Sequence, residues 1–464
     1  MLDKIKSIYF IGIGGAGMSA LAYVLCKRGF NVAGSDVKPG HVCARLEAEG
    51  VKVYCGHKAE QVHNADAVVL STAIHQDNCE LLEAKRLGIT ILHRSDILAA
   101  LINSADGVAV AGAHGKTTTS AMISCIAVES GIEPTVVVGG EVNSLGGNAQ
   151  NGSGRFVIAE ADESDGSFLK FAPLYAVVTN IENDHLDHYG TEENIYQAFK
   201  AFLGQIRDGG AAVICLDNPK LQRLEQELTV PVVAYAIDNP QAEYQARDIC
   251  SSEVGTEYSV YRNNTFVCKV SLMIPGRHNI LNSLAAFATA QLLGIQPEQI
   301  VAALKHFVGA HRRFETKGKI DGIWVVDDYA HHPTEIAVTL QAARQTKPGR
   351  LVCVFQPHRY TRTKLLLKEF GTAFRACDKL ILTDIYSAGE DPIPGIDSAL
   401  LAKEIKLDTG VDAEYIADKK QIVTYLSDKL QAGDLIMTVG AGDIYLVGER
   451  LVEALKGRND DAKE

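Results

Sequence analysis

Residues Val110 to Ser120 read VAGAHGKTTTS, and their reading decides the fold. A run of small and β-branched residues, Val108 to Ala111, enters a turn formed by Gly112, Ala113, His114 and Gly115. Lys116, Thr117 and Thr118 stand at its exit, and TTSAMISCIAV continues with helical spacing as far as Gly131. A strand, a glycine loop and a helix in this order cradle polyphosphate. Backbone N–H groups and the helix N-terminus face the anion, lysine adds a point charge, and the threonine hydroxyl can ligate Mg²⁺. The loop is shorter than the common GxxxxGKT pattern, having glycine only at Gly112 and Gly115 before Lys116. The plain alternative is a tight turn with a solvated lysine, but glycine, glycine, lysine and threonine rarely meet at these offsets by accident.

On the N-terminal side, KSIYFIGIGGAGMSALAYVLCKRGFNVAGSD reads as strand, glycine loop, helix and second strand. The loop is Gly12-x-Gly14-x-x-Gly17, and Asp36 follows Gly17 by 19 positions, close to where a ribose-binding carboxylate belongs. The motif indicates a dinucleotide or a nucleotide diphosphate without choosing between them. ADAVVLSTAI and ITILH continue the alternation, giving a first segment over residues 1–104.

A second segment, 105–311, contains the strand patterns RFVIAE, YAVVTNI, AAVICL and VPVVAYAI and the helix pattern ILNSLAAFATAQLLG. Within it TEYSVYRNNTFVCKVSLMI reads as a hairpin or small antiparallel sheet turning at Asn263–Asn264. A third segment, 312–464, repeats the alternation at IWVVDDY, RLVCVFQP, KLILTDIY and LIMTVGAGD and ends in a charged tail, GRNDDAKE, that reads as disordered. The expected class is α/β with parallel sheets in each segment.

Composition narrows the partners. The 464 residues are 47% hydrophobic and carry a net charge of −12, which argues against nonspecific nucleic-acid binding and against an anionic membrane surface. The ten cysteines are scattered without a CxxC pair, as in a reducing compartment. MLDKIKSIYFIGIGG enters a strand directly, without a signal-peptide pattern, so a cytoplasmic location is expected.

Acidic and imidazole groups follow the phosphate loop at strand ends. Glu160 closes FVIAE, and His185 lies beyond the next strand; a carboxylate and an imidazole there suit Mg²⁺ or Mn²⁺ on a bound triphosphate. Asp162, Glu163, Asp165, Asp184 and Asp187 crowd the same stretches. Positive charge gathers at Arg312–Arg313 and in HRYTRT, where Arg359 and Arg362 are spaced to share a helical face. DDYAHHPTE packs two acids, Tyr329 and two histidines together, but adjacent histidines do not readily share one zinc ion.

These motifs resemble the Mur ligase family. The likeness spans essentially the whole chain through GIGGAGMSALA, AGAHGKTTT, AEADESDGSF, TNIENDHLDHY, GRHNILNSLAA, GAHRRFE, DDYAHHPTEI, HRYTRT and YSAGE. It implies three domains: a Rossmann-like domain for a UDP-sugar, a central P-loop ATPase domain with a small antiparallel sheet, and a Rossmann-like C-terminal domain that helps to bind an amino acid. The implied activity is ATP-dependent amide formation. L-Alanine would join the lactyl carboxylate of UDP-N-acetylmuramate through an acyl phosphate during cell-wall precursor synthesis, in a monomer or weak homodimer without membrane insertion.

The resemblance also implies roles. Gly112 to Thr118 would hold the ATP phosphates, with Lys116 on the β/γ oxygens. Thr117, Glu160 and His185 would hold the metal. Asn279 would contact adenine, and Arg313 or Arg312, with Asp328, would reach ATP from the third domain. Tyr329, His358, Arg359 and Arg362 fall at the amino-acid end, and Gly14, Gly15, Asp36, Ser71 and Thr72 at the UDP-sugar end. His358 or His332 would take the proton of the amine. Lys200 lies 15 residues after His185, where several relatives carry a carbamylated lysine that the alanine-adding branch lacks. The rival readings are a ligase that joins a recycled tripeptide to the same sugar nucleotide, a dehydrogenase, and a nucleotide-dependent switch.

Overall fold

A computed structural model describes residues 4–142, 145–252 and 255–461, and arranges them around three sheets. The first has five strands in the order Lys52–Cys55, Asn31–Asp36, Ser7–Ile11, Ala67–Leu70, Thr90–His93, all parallel. The order reverses direction beside Ser7–Ile11. Open parallel sheets bind ligands at such a switch point, outside the C-terminal strand ends.

The central sheet has ten strands. Asp106–Ala111 lies between Tyr175–Val178 and Phe156–Glu160, and Thr135–Val142 and Gly147–Gln150 complete that side. On the other side follow Ala211–Cys215, Val232–Ala236, Tyr244–Ser252, Gly255–Arg262 and Thr265–Leu272. The polar hairpin pattern is therefore the edge of the central sheet and not a separate one. Asn263 and Asn264 both have positive φ, 48° and 63°, as a two-residue hairpin turn requires. Strand Asp106–Ala111 is buried over Gly107 to Ala111, and helix Lys116–Glu129 is buried from Thr117 to Ala127. A helix that is apolar or hydroxylated all round has no solvent face, which holds the phosphate loop on a rigid mount.

The third sheet has six strands, in the order Glu315–Ile320, Ile323–Asp328, Asp434–Val439, Arg350–Phe355, Lys379–Leu382, Asp412–Tyr415. Only its first strand is antiparallel to its neighbour. One face packs on Phe314, Phe355, Phe370 and Phe374, the other on Val325, Val352, Ile436 and Leu451, so helices cover both sides. The tail departs from its sequence reading: helix Tyr445–Asp461 runs through most of GRNDDAKE, and residues 462–464 lie outside the described residues.

Two compact units emerge. One holds the first sheet and most of the central one, through 1–248, 258–270 and 281–307; the other comprises 249–257, 271–280 and 308–464. Among the described residues no helix is long and apolar enough to cross a membrane.

Candidate functional site

The register of the central sheet sets Glu160 opposite Val110, which brings a carboxylate to the mouth of the glycine loop. The loop is braced from the next strand. The Asn180 carbonyl accepts the Ala113 N–H at 3.2 Å, its side-chain oxygen accepts the His114 N–H at 2.9 Å, and the Thr179 hydroxyl donates to the His114 carbonyl at 2.6 Å. Gly115 has φ 85°, and a Cβ there would stand 2.5 Å from Asn282 Oδ1, so glycine is required both for conformation and for space. The remaining loop residues line the helix start, with Thr118 buried and His114 Nε2 3.2 Å from Glu182 Oε2.

Lys116 does not face solvent. Its side chain is 15% exposed and its ammonium donates to Glu163 Oε1 at 2.8 Å, the Gly112 carbonyl at 2.6 Å and the Ala113 carbonyl at 3.2 Å. Burial works against this charge, yet Glu163 and Glu160 raise its pKa above the ordinary lysine value. Glu163 is itself enclosed, at 4% exposure, and its Oε2 has no hydrogen-bond partner among the described residues. Burial, reinforced by Asp162, pushes its carboxyl up to about 7 despite Lys116. Asp162 behaves oppositely: burial opposes ionisation, but Lys116 and Arg94 hold it at about 2, with Arg94 Nη2 2.7 Å away.

The Thr117 hydroxyl lies 3.0 and 3.2 Å from the two Glu160 oxygens, and the Gly139 N–H donates to Glu160 Oε2 at 2.9 Å. His185, at φ 60°, places Nε2 3.8 Å from Glu163 Oε1 and 3.5 Å from Asp184 Oδ2. Threonine and carboxylate oxygens, with one imidazole beside them, are hard donors suited to a small divalent cation, and the orphaned Glu163 oxygen fits the same need. The Asp187 side chain lies outside the described residues. Lys200 stands apart: its ammonium pairs with Glu227 at 2.8 Å on a partly exposed helix face. Sequence reasoning missed Thr179, Asn180 and Asn282, and noticed Glu163 only as one acid among several; nothing in local spacing marks them.

At the switch point of the first sheet the glycine loop is held by the end of the neighbouring strand. The Ser35 carbonyl accepts the Gly12 and Ile13 N–H groups at 2.8 and 2.9 Å, and Asp36 Oδ2 accepts the Gly14 N–H at 3.0 Å. A Cβ on Gly14 would stand 2.8 Å from that carboxylate oxygen. Gly15 caps helix Ala16–Lys27 without a side-chain bond, so the helix N-terminus stays open to an anion. Ser71 and Thr72 follow strand Ala67–Leu70 at the same end of the sheet.

In the second unit the two adjacent arginines separate. The Arg312 Nε bonds to Asp327 Oδ2 at 2.8 Å, Nη1 to the Gly442 carbonyl at 2.8 Å and Nη2 to the Gly440 carbonyl at 2.5 Å, and its guanidinium lies between the rings of Tyr329 and Tyr445. With all three nitrogens bonded internally it braces the strand ends of the third sheet. Arg313 is 28% exposed, stacks over Tyr329 and pairs with Glu335 at 3.9 Å. Asp328 is buried, its oxygens accepting the Phe314 and Ala330 N–H groups at 2.8 Å each, and burial raises its carboxyl to about 6. Asn279 is buried in the first turn of helix Arg277–Leu292, its amide donating to the Pro275 carbonyl at 2.7 Å.

Around Tyr329 an aromatic and imidazole cluster forms. Tyr329 meets His331 edge-on at 5.6 Å, His331 meets His358 at 5.8 Å, and His358 stacks on Tyr386 at 5.7 Å. Arg362 Nη1 lies 3.5 Å from His358 Nδ1. Burial, with His331 and Arg362, lowers His358 to about 3, and burial lowers His331 to about 4, so both rings are neutral near pH 7. That makes His358 a weak base, and His332 Nδ1 accepts the Thr334 N–H at 3.4 Å. Arg359 is the cap residue of helix Tyr360–Leu365, at φ 67°, Arg362 lies within the helix, and the charges of both act on His358. In the sequence His331 and Tyr386 figure only within DDYAHHPTE and YSAGE, without roles of their own.

Three family models match in sequence: the Mur ligase family catalytic domain over residues 7–105, the Mur ligase middle domain over 110–290, and the Mur ligase glutamate ligase domain over 312–442. A UDP-N-acetylmuramate–L-alanine ligase of Pelotomaculum thermopropionicum is 48% identical, covering 98% of this chain and 99% of that one. The enzyme of the same name from Desulforamulus reducens is also 48% identical, over 98% of each. The crystal structure of a UDP-N-acetylmuramate-alanine ligase from Thermotoga maritima superposes with a TM-score of 0.84 at 29% identity, covering 98% of this chain and all of that one. Matched along nearly its whole length by relatives of this kind, the chain belongs to the Mur ligase family.

Proposed function

We propose that the protein is an ATP-dependent ligase that joins L-alanine to the lactyl carboxylate of UDP-N-acetylmuramate, in the cytoplasmic synthesis of peptidoglycan precursors. The observation that carries this is the convergence of Lys116, Thr117, Glu160 and Glu163 at the mouth of the central glycine loop. Near-full-length similarity to alanine ligases supports the choice of substrates.

In this reading the three sheets serve as domains with boundaries near 104 and 311. The first glycine loop, with Asp36, Ser71 and Thr72, takes the UDP-sugar. Gly112 to Thr118 wrap the phosphates of ATP, and Lys116 swings from Glu163 onto the β/γ oxygens. Asn279, Arg313 and Asp328 serve ATP from the rest of the chain, and Tyr329, His358, Arg359 and Arg362 receive alanine. Thr117, Glu160 and His185 would hold Mg²⁺ or Mn²⁺, which when bound neutralises phosphate charge that an acidic protein otherwise repels. The γ-phosphoryl group passes to the lactyl carboxylate with release of ADP. The alanine amine then attacks the acyl carbon, and phosphate leaves as the amide forms. Lys116 stabilises charge on the transferring group, and the protein holds the reactants in line.

The test is amino-acid-dependent phosphate release from ATP in the presence of UDP-N-acetylmuramate, with UDP-N-acetylglucosamine, which lacks the carboxylate, as control. Turnover should require alanine and the carboxylate. Better use of a tripeptide than of alanine would assign the protein to peptide recycling instead. In the same assay Arg359→Ala should raise the apparent KM for alanine about tenfold or more, with little change in that for ATP, because a carboxylate loses its guanidinium partner.

A further inference from the structure

Behind the first glycine loop lies a buried polar network that the proposed chemistry does not use. Glu80, in the first turn of helix Cys79–Leu87, is wholly enclosed. Its Oε1 lies 2.6 Å from the Tyr9 hydroxyl, and its Oε2 lies 2.7 Å from both the Ser35 hydroxyl and His57 Nδ1. Ser35 Oγ and His57 Nδ1 are themselves 2.9 Å apart, and the Tyr9 hydroxyl is 2.9 Å from the Gln61 side-chain amide. Burial and Glu80 raise the Tyr9 hydroxyl pKa, so it remains a donor. Three donors thus converge on one buried carboxylate, which makes an otherwise costly burial tolerable.

Apolar side chains would fill this space without any desolvation cost, and surrounding positions such as Val62, Val68 and Leu81 do so. The network is distinguished by what Ser35 does with its backbone. Its carbonyl takes the N–H groups of both Gly12 and Ile13, and the next residue, Asp36, takes that of Gly14. Three successive loop N–H groups therefore depend on where residues 35 and 36 sit. The Ser35 side chain is anchored to Glu80 and His57.

We propose that Glu80, acting through Ser35 and His57, is a positioning residue for the glycine loop that receives the diphosphate of the sugar nucleotide. Glu80 touches no ligand. It fixes the strand end from which the loop hangs, so its loss costs affinity for one substrate and not the other. The inference rests on the first sheet being the UDP-sugar site.

Titration calorimetry on the full-length protein with UDP-N-acetylmuramate, and separately with a non-hydrolysable ATP analogue, tests it. Glu80→Gln and Ser35→Ala should each weaken UDP-N-acetylmuramate about tenfold while the ATP analogue binds within twofold of wild type. In steady state the KM for the sugar nucleotide should rise with kcat at saturation largely kept. Tyr9→Phe removes a donor at the far end of the network; it should lower the melting temperature and leave the sugar-nucleotide affinity within twofold. Should Glu80→Gln fail to fold, Ser35→Ala and Tyr9→Phe still decide the matter between them. A folded Ser35→Ala protein with wild-type affinity, or variants that weaken both ligands equally, would show that the network serves only the fold. Absence of UDP-N-acetylmuramate binding by the wild-type protein would instead overturn the site on which the inference rests.

Discussion

The two glycine loops, Gly12 to Gly17 and Gly112 to Gly115, look alike in sequence and differ in how they are charged. The first is held from outside itself: its N–H groups bond to Ser35 and Asp36 of the neighbouring strand, and no lysine follows it. The second carries its own cation, which is folded back onto the loop carbonyls and onto Glu163. A loop of the first kind offers dipoles and a helix end to a ligand that arrives intact and leaves intact. A loop of the second kind stores a charge beside a buried acid, ready to move when a highly charged group enters. The difference matches the proposed division between binding a sugar nucleotide and breaking a phosphoanhydride.

The sharpest way to break this contrast is Lys116→Ala. Loss of the only lysine in the loop should lower kcat at least about a thousandfold, because transition-state charge loses its main fixed partner. Affinity for UDP-N-acetylmuramate should be unchanged, and phosphate release together with calorimetry reads both. Near-normal turnover would remove the central loop from the chemistry.

The adjacent arginines pose the same question of stored against available charge. Arg312→Ala leaves Asp327 buried without its partner and should destabilise the protein by about 3 kcal/mol in denaturant unfolding. Arg313→Ala should leave unfolding nearly unchanged while reducing turnover. A reversal of these two phenotypes would mean that the internal bonding of Arg312 does not persist in solution.

A smaller effect is expected from Asp36→Asn, which weakens the acceptor for the Gly14 N–H. The Kd for UDP-N-acetylmuramate should rise about tenfold, equivalent to about 1.4 kcal/mol, without change for ATP. Micromolar binding of NAD by the wild-type protein would reassign this loop altogether.

The smallest effect is a slope. With its carboxyl raised to about 7, Glu163 keeps a proton in the folded state that the unfolded chain gives up above about pH 4.5. Its contribution to stability therefore falls as pH rises from about 4.5 to about 7, and Glu163→Gln should flatten the melting curve across that window by a few degrees. His331 at about 4 and His358 at about 3 act oppositely. They are neutral when folded and charge when unfolded below about pH 6.5, so they lower stability as pH falls. Comparing wild type with Glu163→Gln isolates the first slope from the second.

Much of this molecule is legible before folding. Most strands that lie inside a parallel sheet of the first or third segment announce themselves as short apolar runs, because they are covered on both faces, although NVAGSD at Asn31–Asp36 does not. The two edge strands of the third sheet do not. ETKGKI at Glu315–Ile320 and DAEY at Asp412–Tyr415 are polar and half-solvated, and their pairing is decided by neighbours far away in sequence. The site divides in the same way. Lys116 and Thr117 are visible because loop and helix are contiguous, and Glu160 because it ends a clear strand. The brace from Thr179 and Asn180, the enclosure of Glu163 and the locking of Arg312 arise only when strands come side by side. Spacing also does not reveal that Arg359 sits at the helix cap with positive φ and not inside the helix.

The Arg312 brace has a bearing on how the chain matures during synthesis. Its carbonyl partners, Gly440 and Gly442, lie 128 and 130 residues downstream, beyond the last strand of the sheet. Asp327 follows within 15 residues, but these two bonds must wait for nearly the whole remaining polypeptide to leave the ribosome. Until then the C-terminal unit holds an incompletely bonded cation, so premature termination before Gly440 should yield a protein that quality-control proteases recognise as unfinished.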